Sequence, residues 1–367
     1  MAIPSSLTLN YDALLTTTLF NYQPKLADNI TQGCKFLNYL RDKGQFKRLD
    51  GGERVAVPLM HTQNNTADIY SSYGTLDVTP EDGITTAYYD WAQMAVSISI
   101  SGKEKRQNRG KAAILNLLEA KTMQSEASLK ELLNGSIVSG RITSSANLGR
   151  FLPVTGRLDS GANSVQPLAA LVDANPSRSA AIGNINPNTY AFWRNQSTSS
   201  TATTWNGLKL EMVRVYDNCA KGVGGPPDML LGDQIAWETY WASLANNERY
   251  IVTDKRIIDI LGGTDMIKFR SAVFIWDEAM PDTETNATVA FGNRAAVGTF
   301  TVSTILFLNS DTMLYVVHSD ADFMTTPFVT PVGQDASVAE VLWMGALATN
   351  NRRKNGQLYG IAQNITS

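Results

Sequence analysis

The stretch PPDMLL at residues 226–231 opens an ordered series that continues with LFLNSDT at 306–312 and NRRKNG at 351–356. The apolar runs at 229–231, 272–276 and 305–308 predict buried strands, and a further strand is predicted at 313–317. Pro, Asn and Asp flank several of these runs, as is typical of turns. The last third of the chain therefore predicts a mixed sheet.

Two helices are predicted beside the first of these strands. One places its apolar residues on a single face of a 3.6-residue repeat: Trp205, Leu208, Met212, Val215, Tyr216 and Cys219. Thr203 or Thr204 is expected to cap its start, and Gly222 to end it. Asp233 is expected to cap the second helix. A stripe of Met and aromatic residues at this spacing indicates core packing, here against the strand at 229–231.

Residues 51–102 predict a long hairpin. Val55, Val57 and Leu59 alternate with other residues, which indicates a strand with one face buried, and Pro58 restricts it to a sheet edge or a strand end. A second alternating stretch runs from Ala87 to Ile100. Some 25 polar residues connect the two, whereas loops above about 12 to 15 residues are uncommon unless functional or disordered. A projecting loop is one interpretation, and a mobile insertion in an ordinary β domain is the other.

A helix of about 24 residues is predicted over 111–134, with Asn134-Gly135 as its stop. At 1.5 Å per residue it spans about 36 Å. Five basic residues lie just before it or at its start: Lys103, Lys105, Arg106, Arg109 and Lys111. They are candidates for contact with DNA phosphates, or they form a solvated face, since Glu104 interrupts them.

The two ends of the chain differ in character. Residues 1 to about 50 are rich in Thr, Asn and Leu with little periodicity, which predicts an extended arm that is disordered or laid across a neighbour. Within it, Phe36, Leu37 and Leu40 predict one short helical turn that packs down. At the other end, a long strand at 338–349, an Asn-rich turn and a short return strand at 357–361 are expected.

Composition restricts the class of protein. The 367 residues are 43% hydrophobic and 18% charged, with 31 Lys and Arg against 34 Asp and Glu, and no basic stripe suited to gripping nucleic acid is evident. No apolar run reaches the roughly 18 residues that a membrane span requires, and the first residues lack a secretory pattern, so a cytoplasmic origin is expected. Cys34 and Cys219 lie far apart and are expected to be inert thiols.

No catalytic, cofactor or metal site is predicted. The two histidines, His61 and His318, are expected to be solvated or to cap a turn. The glycine run at 222–225 lacks the Lys-Ser/Thr of a phosphate-binding loop and predicts a turn. Carboxylates gather after the strand at 272–276, and a solvated acidic turn is favoured there over a calcium site: Asp277, Glu278, Asp282 and Glu284.

The order of these elements resembles that of the tailed-bacteriophage major capsid proteins of the Hong Kong 97-like fold. The resemblance implies an α+β fold with an N-terminal arm at 1–50 and an extended loop, the E-loop, at 51–102. It implies a peripheral domain at 103–203 and 331–367 that contains a spine helix at 111–134, and an axial domain at 204–330.

The same resemblance implies a protein that is not an enzyme and that self-assembles, as pentamers and hexamers, into an icosahedral head shell around double-stranded DNA. It implies a separate scaffolding protein, a portal protein at one vertex, weak non-specific contact with packaged DNA, a decoration protein and no membrane partner. The product would be a virion assembled in the host cytoplasm. Five residues of the hairpin are candidates for inter-subunit contact: Arg54, Tyr70, Tyr73, Tyr88 and Trp91.

Two other functions remain open from the sequence. An encapsulin-type nanocompartment shell shares the fold and encloses enzymes. A β-rich hydrolase or carbohydrate-binding protein belongs to a different class and would form a small oligomer with a pocket.

Overall fold

A computed structural model of the chain describes residues 35–62, 64–107, 117–138, 167–177, 181–244, 267–277, 279–280, 302–362 and 365. The helices are α1 (Lys35–Asp42), α2 (Gly102–Gln107), α3 (Leu117–Val138), α4 (Leu168–Leu171), α5 (Trp205–Ala220) and α6 (Gln234–Ser243). The strands are β1 (Phe46–Leu49), β2 (Val55–Met60), β3 (Ile84–Tyr89), β4 (Ala92–Ser101), β5 (Gln196–Ser199), β6 (Met229–Gly232), β7 (Ile267–Phe269), β8 (Ala272–Trp276), β9 (Val302–Leu308), β10 (Met313–His318), β11 (Met324–Thr325), β12 (Ala336–Thr349) and β13 (Gly356–Ala362).

The first sheet is organised around β12, the longest of the described strands. β12 pairs antiparallel with β4 over ten positions, from Ala336 opposite Ser101 to Gly345 opposite Ala92. Its other edge pairs with β10 and β11, and β1 runs parallel to β10. Helix α3 contributes Leu129, Leu133 and Ile137 to the core cluster that includes this sheet, at the i, i+4, i+8 spacing of one helix face.

The second sheet has the strand order β5-β13-β9-β6-β8-β7 among the residues that are described. Alternate residues of its central strands enter two different cores. Leu230, Phe274 and Phe307 pack with α5 and α6, whereas Leu231 and Leu306 enter the core shared with the first sheet. Because both faces are covered, these strands are continuous apolar runs without alternation, as buried mixed sheets require.

Helix α5 confirms its sequence pattern. The Thr204 side chain accepts a hydrogen bond from the Gly207 amide at 3.3 Å, and the expected stripe is buried at Leu208, Met212, Val215, Tyr216 and Cys219. Beyond its end Gly222 adopts a φ of 89°, the left-handed conformation expected of a helix stop.

Helix α3 does not stop at Asn134-Gly135 as predicted but continues to Val138. Asn134 is buried, and its Nδ2 donates to Asp277 Oδ1 at 3.1 Å. Ile137 and Val138 have no exposed surface, so their burial outweighs the local preference of Asn-Gly for a left-handed turn. The first part of the predicted helix, 111–116, lies outside the described residues.

The short strand predicted at 357–361 forms as β13, but it does not return along β12. β12 belongs to the first sheet, but β13 pairs with β5 and β9 in the second sheet. Likewise, β10 pairs with β12 and not with the strands at 204–308. β10, which precedes the predicted domain boundary at 330/331, thus lies in the first sheet, and β13, which follows it, lies in the second sheet. The segment between β12 and β13 connects the two sheets, and we call it the connector.

The hairpin forms as predicted in its first part. β2 and β3 pair antiparallel from Val55 opposite Tyr89 to Met60 opposite Ile84. Pro58 lies in β2, and because this sheet has two strands, each strand has one edge without a paired neighbour, as the proline requires. The second predicted strand is interrupted at Asp90-Trp91, after which β4 joins the first sheet. We call β2, β3 and the loop 61–83 the ribbon.

Helix α1 packs down as the sequence predicted, with Phe36, Leu37 and Leu40 buried. The Tyr39 hydroxyl donates to Asp228 Oδ2 at 3.1 Å, and burial, with this carboxylate beside it, raises the pKa of Tyr39. Asp228 also accepts from the Ser310 amide at 2.9 Å. α1 thus packs on its own chain, and β1 pairs with β10 in the first sheet, so the prediction of an arm that is disordered or laid across a neighbour is wrong for residues 35–49. Residues 1–34 of the predicted arm at 1–50 lie outside the described residues.

Candidate functional site

The ribbon carries large apolar side chains with no core to enter. Ile69 is 98% exposed, Tyr73 is 100% exposed and Val78 is 90% exposed. The other exposed members are Met60, Tyr70, Leu76, Ile84 and Tyr88. Large exposed apolar patches mark interaction sites in soluble proteins, so these eight side chains are candidates for one.

Hydrogen bonds from side chains to backbone hold the ribbon loop in its shape. Asp77 Oδ1 accepts from the Thr79 amide at 3.0 Å and from the Thr79 hydroxyl, and these bonds lower the pKa of Asp77. Glu81 Oε2 accepts from the Asn65 amide at 2.9 Å. The Asp77 bonds form a local turn of the kind that Asp makes readily, and the Glu81 bond joins the two sides of the loop, so the loop keeps its apolar groups in solvent without packing them.

The base of the ribbon is anchored to the body of the chain. The Tyr89 hydroxyl donates to the Thr349 carbonyl at 2.9 Å, and the Tyr88 amide donates to the Gly183 carbonyl at 3.0 Å. Gly183 has a φ of 60°, and a Cβ there would lie 3.1 Å from the Tyr89 ring, so glycine suits this close approach. The ribbon therefore projects from a fixed base.

The five predicted contact residues divide into two groups. Tyr70, Tyr73, Tyr88 and Arg54 are exposed, and the Arg54 Nε pairs with Asp90 at 3.0 Å. Trp91 is 8% exposed: its Nε1 donates to the Gly52 carbonyl at 2.9 Å and its ring lies edge-on to His318. Trp91 thus has little surface left for a neighbour, and contact by the other four stays a prediction.

The predicted basic cluster is described in part. Lys103 and Arg106 are exposed on α2, and Arg106 pairs with Asp335 at 2.9 Å. The side chain of Lys105, and Arg109 and Lys111 entirely, lie outside what is described. The sequence SGKE contains the start signal of α2: the Ser101 amide donates to Glu104 Oε2 at 3.1 Å, and the Glu104 amide to Ser101 Oγ at 3.2 Å. This capping box was missed, although Ser-x-x-Glu is readable from sequence.

The connector between β12 and β13 contains a buried arginine that the sequence did not reveal. Arg352 is fully buried, and its guanidinium donates to four oxygens. The acceptors are the carbonyls of Leu171 (2.8 Å), Trp193 (3.0 Å) and Ala170 (3.1 Å) and Asn195 Oδ1 (3.1 Å). A guanidinium has five N–H donors in fixed positions, which suits four acceptor oxygens arranged around it.

Lys354 makes a second such contact two residues later. Its Nζ donates to the carbonyls of Gly222 (2.9 Å), Lys221 (3.2 Å), Ala220 (3.3 Å) and Gly225 (3.3 Å). The glycine run at 222–225 is thus a turn, as predicted, and its carbonyls converge on an ammonium group of the same chain. Together Arg352 and Lys354 fix the passage from one sheet to the other.

A buried polar junction lies beneath the end of α3. Asp277 accepts from Asn134 Nδ2 and from the Ala279 amide at 2.9 Å and is 2% exposed, so the predicted solvated turn is wrong at this residue. Glu278, Asp282 and Glu284 lie outside the described residues. Asp233 occupies the N-cap position of α6 as predicted, but its side chain accepts no capping hydrogen bond from that helix. It accepts instead from the Thr304 amide at 3.1 Å, and burial raises its pKa to about 6.

The remaining candidate residues have structural roles. His318 Nδ1 accepts from the Asp320 amide at 3.1 Å, the expected capping role, and the His61 ring stacks on Phe192. Cys219 is buried with a free thiol whose pKa burial raises to about 12, and Cys34 lies outside the described residues. Within the described ranges, no group of His, Cys, Asp and Glu side chains is placed to hold a metal, and no helix is long and apolar enough to cross a membrane.

No family model matches the sequence, and no curated protein is similar to it. Solved structures are similar over nearly the whole chain. The capsid protein of cyanophage A-1(L) aligns with a TM-score of 0.61 at 12% identity, covering 95% of this chain and 98% of that one. The capsid protein of an empty GTA particle aligns with a TM-score of 0.57 at 10% identity, covering 98% and 100%.

The holo-SrpI encapsulin complex from Synechococcus elongatus PCC 7942 is also similar, with a TM-score of 0.52 at 11% identity and coverage of 100% and 99%. At these identities the likeness concerns the fold. The chain has the mixed helix-and-sheet fold of tailed-phage major capsid proteins, as the sequence resemblance implied.

Proposed function

We propose that this chain is the major capsid protein of a tailed bacteriophage, and that its copies assemble into an icosahedral shell around double-stranded DNA. The observation that carries the proposal is the end-to-end match of this chain to the cyanophage A-1(L) capsid chain, at 95% and 98% coverage. The protein is proposed to act as a building block and not as an enzyme.

The exposed ribbon supports assembly independently of the structural match. Ile69 and Tyr73 have virtually their whole side chains in solvent in the single chain, although burying such a side chain is worth about 1.5 to 3 kcal/mol. In a chain that stays monomeric, these apolar side chains would remain in water. In a shell, the ribbon would bury it against a neighbouring copy, with Arg54, Tyr70, Tyr73 and Tyr88 in contact.

The finer assignments are part of the proposal. The arm at 1–50, the E-loop at 51–102, the peripheral domain at 103–203 and 331–367 and the axial domain at 204–330 are proposed units, although β10 and β13 cross the last boundary in their pairing. Pentamers and hexamers, a scaffolding protein, a portal, a decoration protein and weak contact with packaged DNA are proposed partners. Assembly in the host cytoplasm and residence in the virion complete the proposal.

A second candidate function is the shell of a protein nanocompartment. The full-length match to the encapsulin complex of Synechococcus elongatus supports it, since the fold alone does not distinguish the two shells. The third possibility raised by the sequence, a β-rich hydrolase or carbohydrate-binding protein, has no support in the fold.

Expression of the full chain, with electron microscopy of the purified material, tests the proposal. Closed icosahedral shells are expected, alone or with a co-expressed scaffolding protein. Particles from the native source should contain nuclease-protected double-stranded DNA, and a protein cargo in its place would support the nanocompartment. A small oligomer under all these conditions would contradict both.

A further inference from the structure

The glycine turn after α5 gathers main-chain carbonyls around two side-chain donors. Lys354 Nζ and Asn309 Nδ2 between them bind the carbonyl oxygens of residues 220–222 and 224–226. The three glycines of the turn have φ values between 73° and 112°, a left-handed backbone that glycine adopts without strain and that lets nearby carbonyls converge. A phosphate-binding loop gathers amides around an anion. A turn that gathers carbonyls suits a cation.

Lys354 occupies the larger group of carbonyls, which we call the cradle. Its Nζ lies 2.9 Å from the oxygen of Gly222, 3.2 Å from that of Lys221 and 3.3 Å from those of Ala220 and Gly225. An ammonium has three N–H donors, so with four acceptors at least one proton is shared. Two of the distances also lie beyond the usual range of about 2.7 to 3.2 Å. More oxygens, slightly further away, than directional bonds require are a geometry that suits a spherical cation.

The cradle supplies negative potential without a carboxylate. Ala220 is the last residue of α5, a helix of 16 residues, so the carbonyls at 220–222 lie at its C-terminal end. The helix macrodipole places roughly half a negative charge there. Lys354 is 1% exposed, and no carboxylate pairs with it in the part of the chain that the structure describes. Divalent ions prefer carboxylates and bind oxygen at about 2.0 to 2.6 Å, so a monovalent ion fits better.

The cradle lies at the surface although its occupant is buried. Residues 221–226 are all exposed, and Val223 at the tip of the turn is 96% exposed. The Lys354 side chain reaches the carbonyls from the connector beneath, where an added Cβ on Gly224 would lie 3.3 Å from its Cε. A free ion can therefore reach these carbonyls from solvent once the ammonium is removed.

We propose that the cradle is a binding site for a monovalent cation of the size of ammonium or potassium, and that the Lys354 ammonium is its resident occupant. In this role Lys354 fastens the end of α5 to the connector, and a free ion of that size does the same when the side chain is absent. The site is independent of the proposed shell function, because all of its contacts lie within one chain.

Chemical rescue on the full, unassembled chain tests the site. Lys354→Ala removes the ammonium and leaves room for an ion. Lys354→Met is the matched control, since it removes the charge but keeps enough side-chain volume to fill that room. Urea unfolding followed by tryptophan fluorescence gives the folding equilibrium constant of each variant in the chlorides of potassium, ammonium, lithium and tetramethylammonium at equal ionic strength.

We expect potassium and ammonium to raise the folding equilibrium constant of Lys354→Ala about tenfold over tetramethylammonium, and to do so saturably. This is the gain from an ion present at about ten times its dissociation constant. Lithium should give no gain, because it is too small to contact four oxygens spaced around an ammonium. The parent chain, whose cradle is occupied, and Lys354→Met, whose cradle is filled, should not distinguish among the salts.

An equal response of Lys354→Ala to all four salts overturns the proposal. So does the same potassium dependence in Lys354→Met or in the parent chain, which would mark a general effect of salt on stability. If Lys354→Ala does not fold in tetramethylammonium, its refolding yield in potassium or ammonium against lithium becomes the measurement. Recovery in potassium and ammonium supports the site, and failure in all of the salts overturns it.

Discussion

Replacement of Arg352 should destabilise the chain far more than replacement of its neighbour Arg353. Arg352→Met removes four hydrogen bonds to buried oxygens, three of them backbone carbonyls, at 2.8 to 3.1 Å. Methionine has similar volume, so the change mainly leaves acceptors without a donor. At about 1 kcal/mol for each buried acceptor, the loss is about 4 kcal/mol, within the roughly 3 to 5 kcal/mol seen when one partner of a buried charged contact is removed.

The measurement is guanidinium chloride unfolding of the unassembled chain, followed by tryptophan fluorescence. With a denaturant dependence of about 4 kcal/mol per molar, a loss of this size lowers the midpoint by about 1 M. Arg353→Met is the matched control, because Arg353 is exposed and its change should stay within about 0.5 kcal/mol. Equal midpoints for the two variants would refute the claim that the Arg352 guanidinium holds the connector together.

Three further outcomes are expected. Because burial raises the pKa of Asp233 to about 6, the folded state binds its proton more tightly than the unfolded state, so its contribution to stability falls by up to about 3 kcal/mol as the pH rises from about 4 to 6. Asp233→Asn should remove this slope from denaturation midpoints measured across that range, and an unchanged slope would assign it to other groups. Gly345→Ala should destabilise the first sheet by about 2 kcal/mol in the same assay, since the added Cβ would lie 2.5 Å from the Trp343 ring and 2.7 Å from the Val316 carbonyl oxygen; a neutral result would show that both the ring and the β10 backbone can shift. Tyr73→Ser should leave unfolding unchanged but raise the critical concentration for assembly about 30-fold, from a loss of about 2 kcal/mol of burial, whereas Val223→Ser, at an equally exposed site, should not; equal effects of both would remove the ribbon from the assembly contact.

Sequence reasoning succeeded where structure depends on neighbours along the chain. The stripe from Leu208 to Cys219 predicted α5 with its cap at Thr204, because residues three and four apart share a helix face. Alternation in β2 and the long polar segment after it predicted a projecting ribbon. The stop at Asn134-Gly135 was wrong because the burial of Ile137 and Val138 outweighs a local turn preference.

The candidate interaction surfaces were predictable in outline. The sequence placed four exposed contact candidates on or beside the ribbon and a basic cluster after β4. It did not show that Trp91 would be buried at the ribbon base, where its indole Nε1 donates to the Gly52 carbonyl. Whether an aromatic side chain faces its own core or a partner depends on which residues pack over it. The alternation of apolar and polar residues along a strand does not identify those residues.

The sequence by itself determined most of the long helices and strands, their order and the charge along the ribbon and α2, since these follow from local spacing and composition. Only the tertiary structure decided which sheet each strand joins, as for β10 and β13. It alone revealed that Arg352 is buried, for its acceptors at Leu171 and Trp193 lie 181 and 159 residues away in the chain. A charged residue can be buried only when such distant oxygens converge on it, and that convergence is a property of the folded chain.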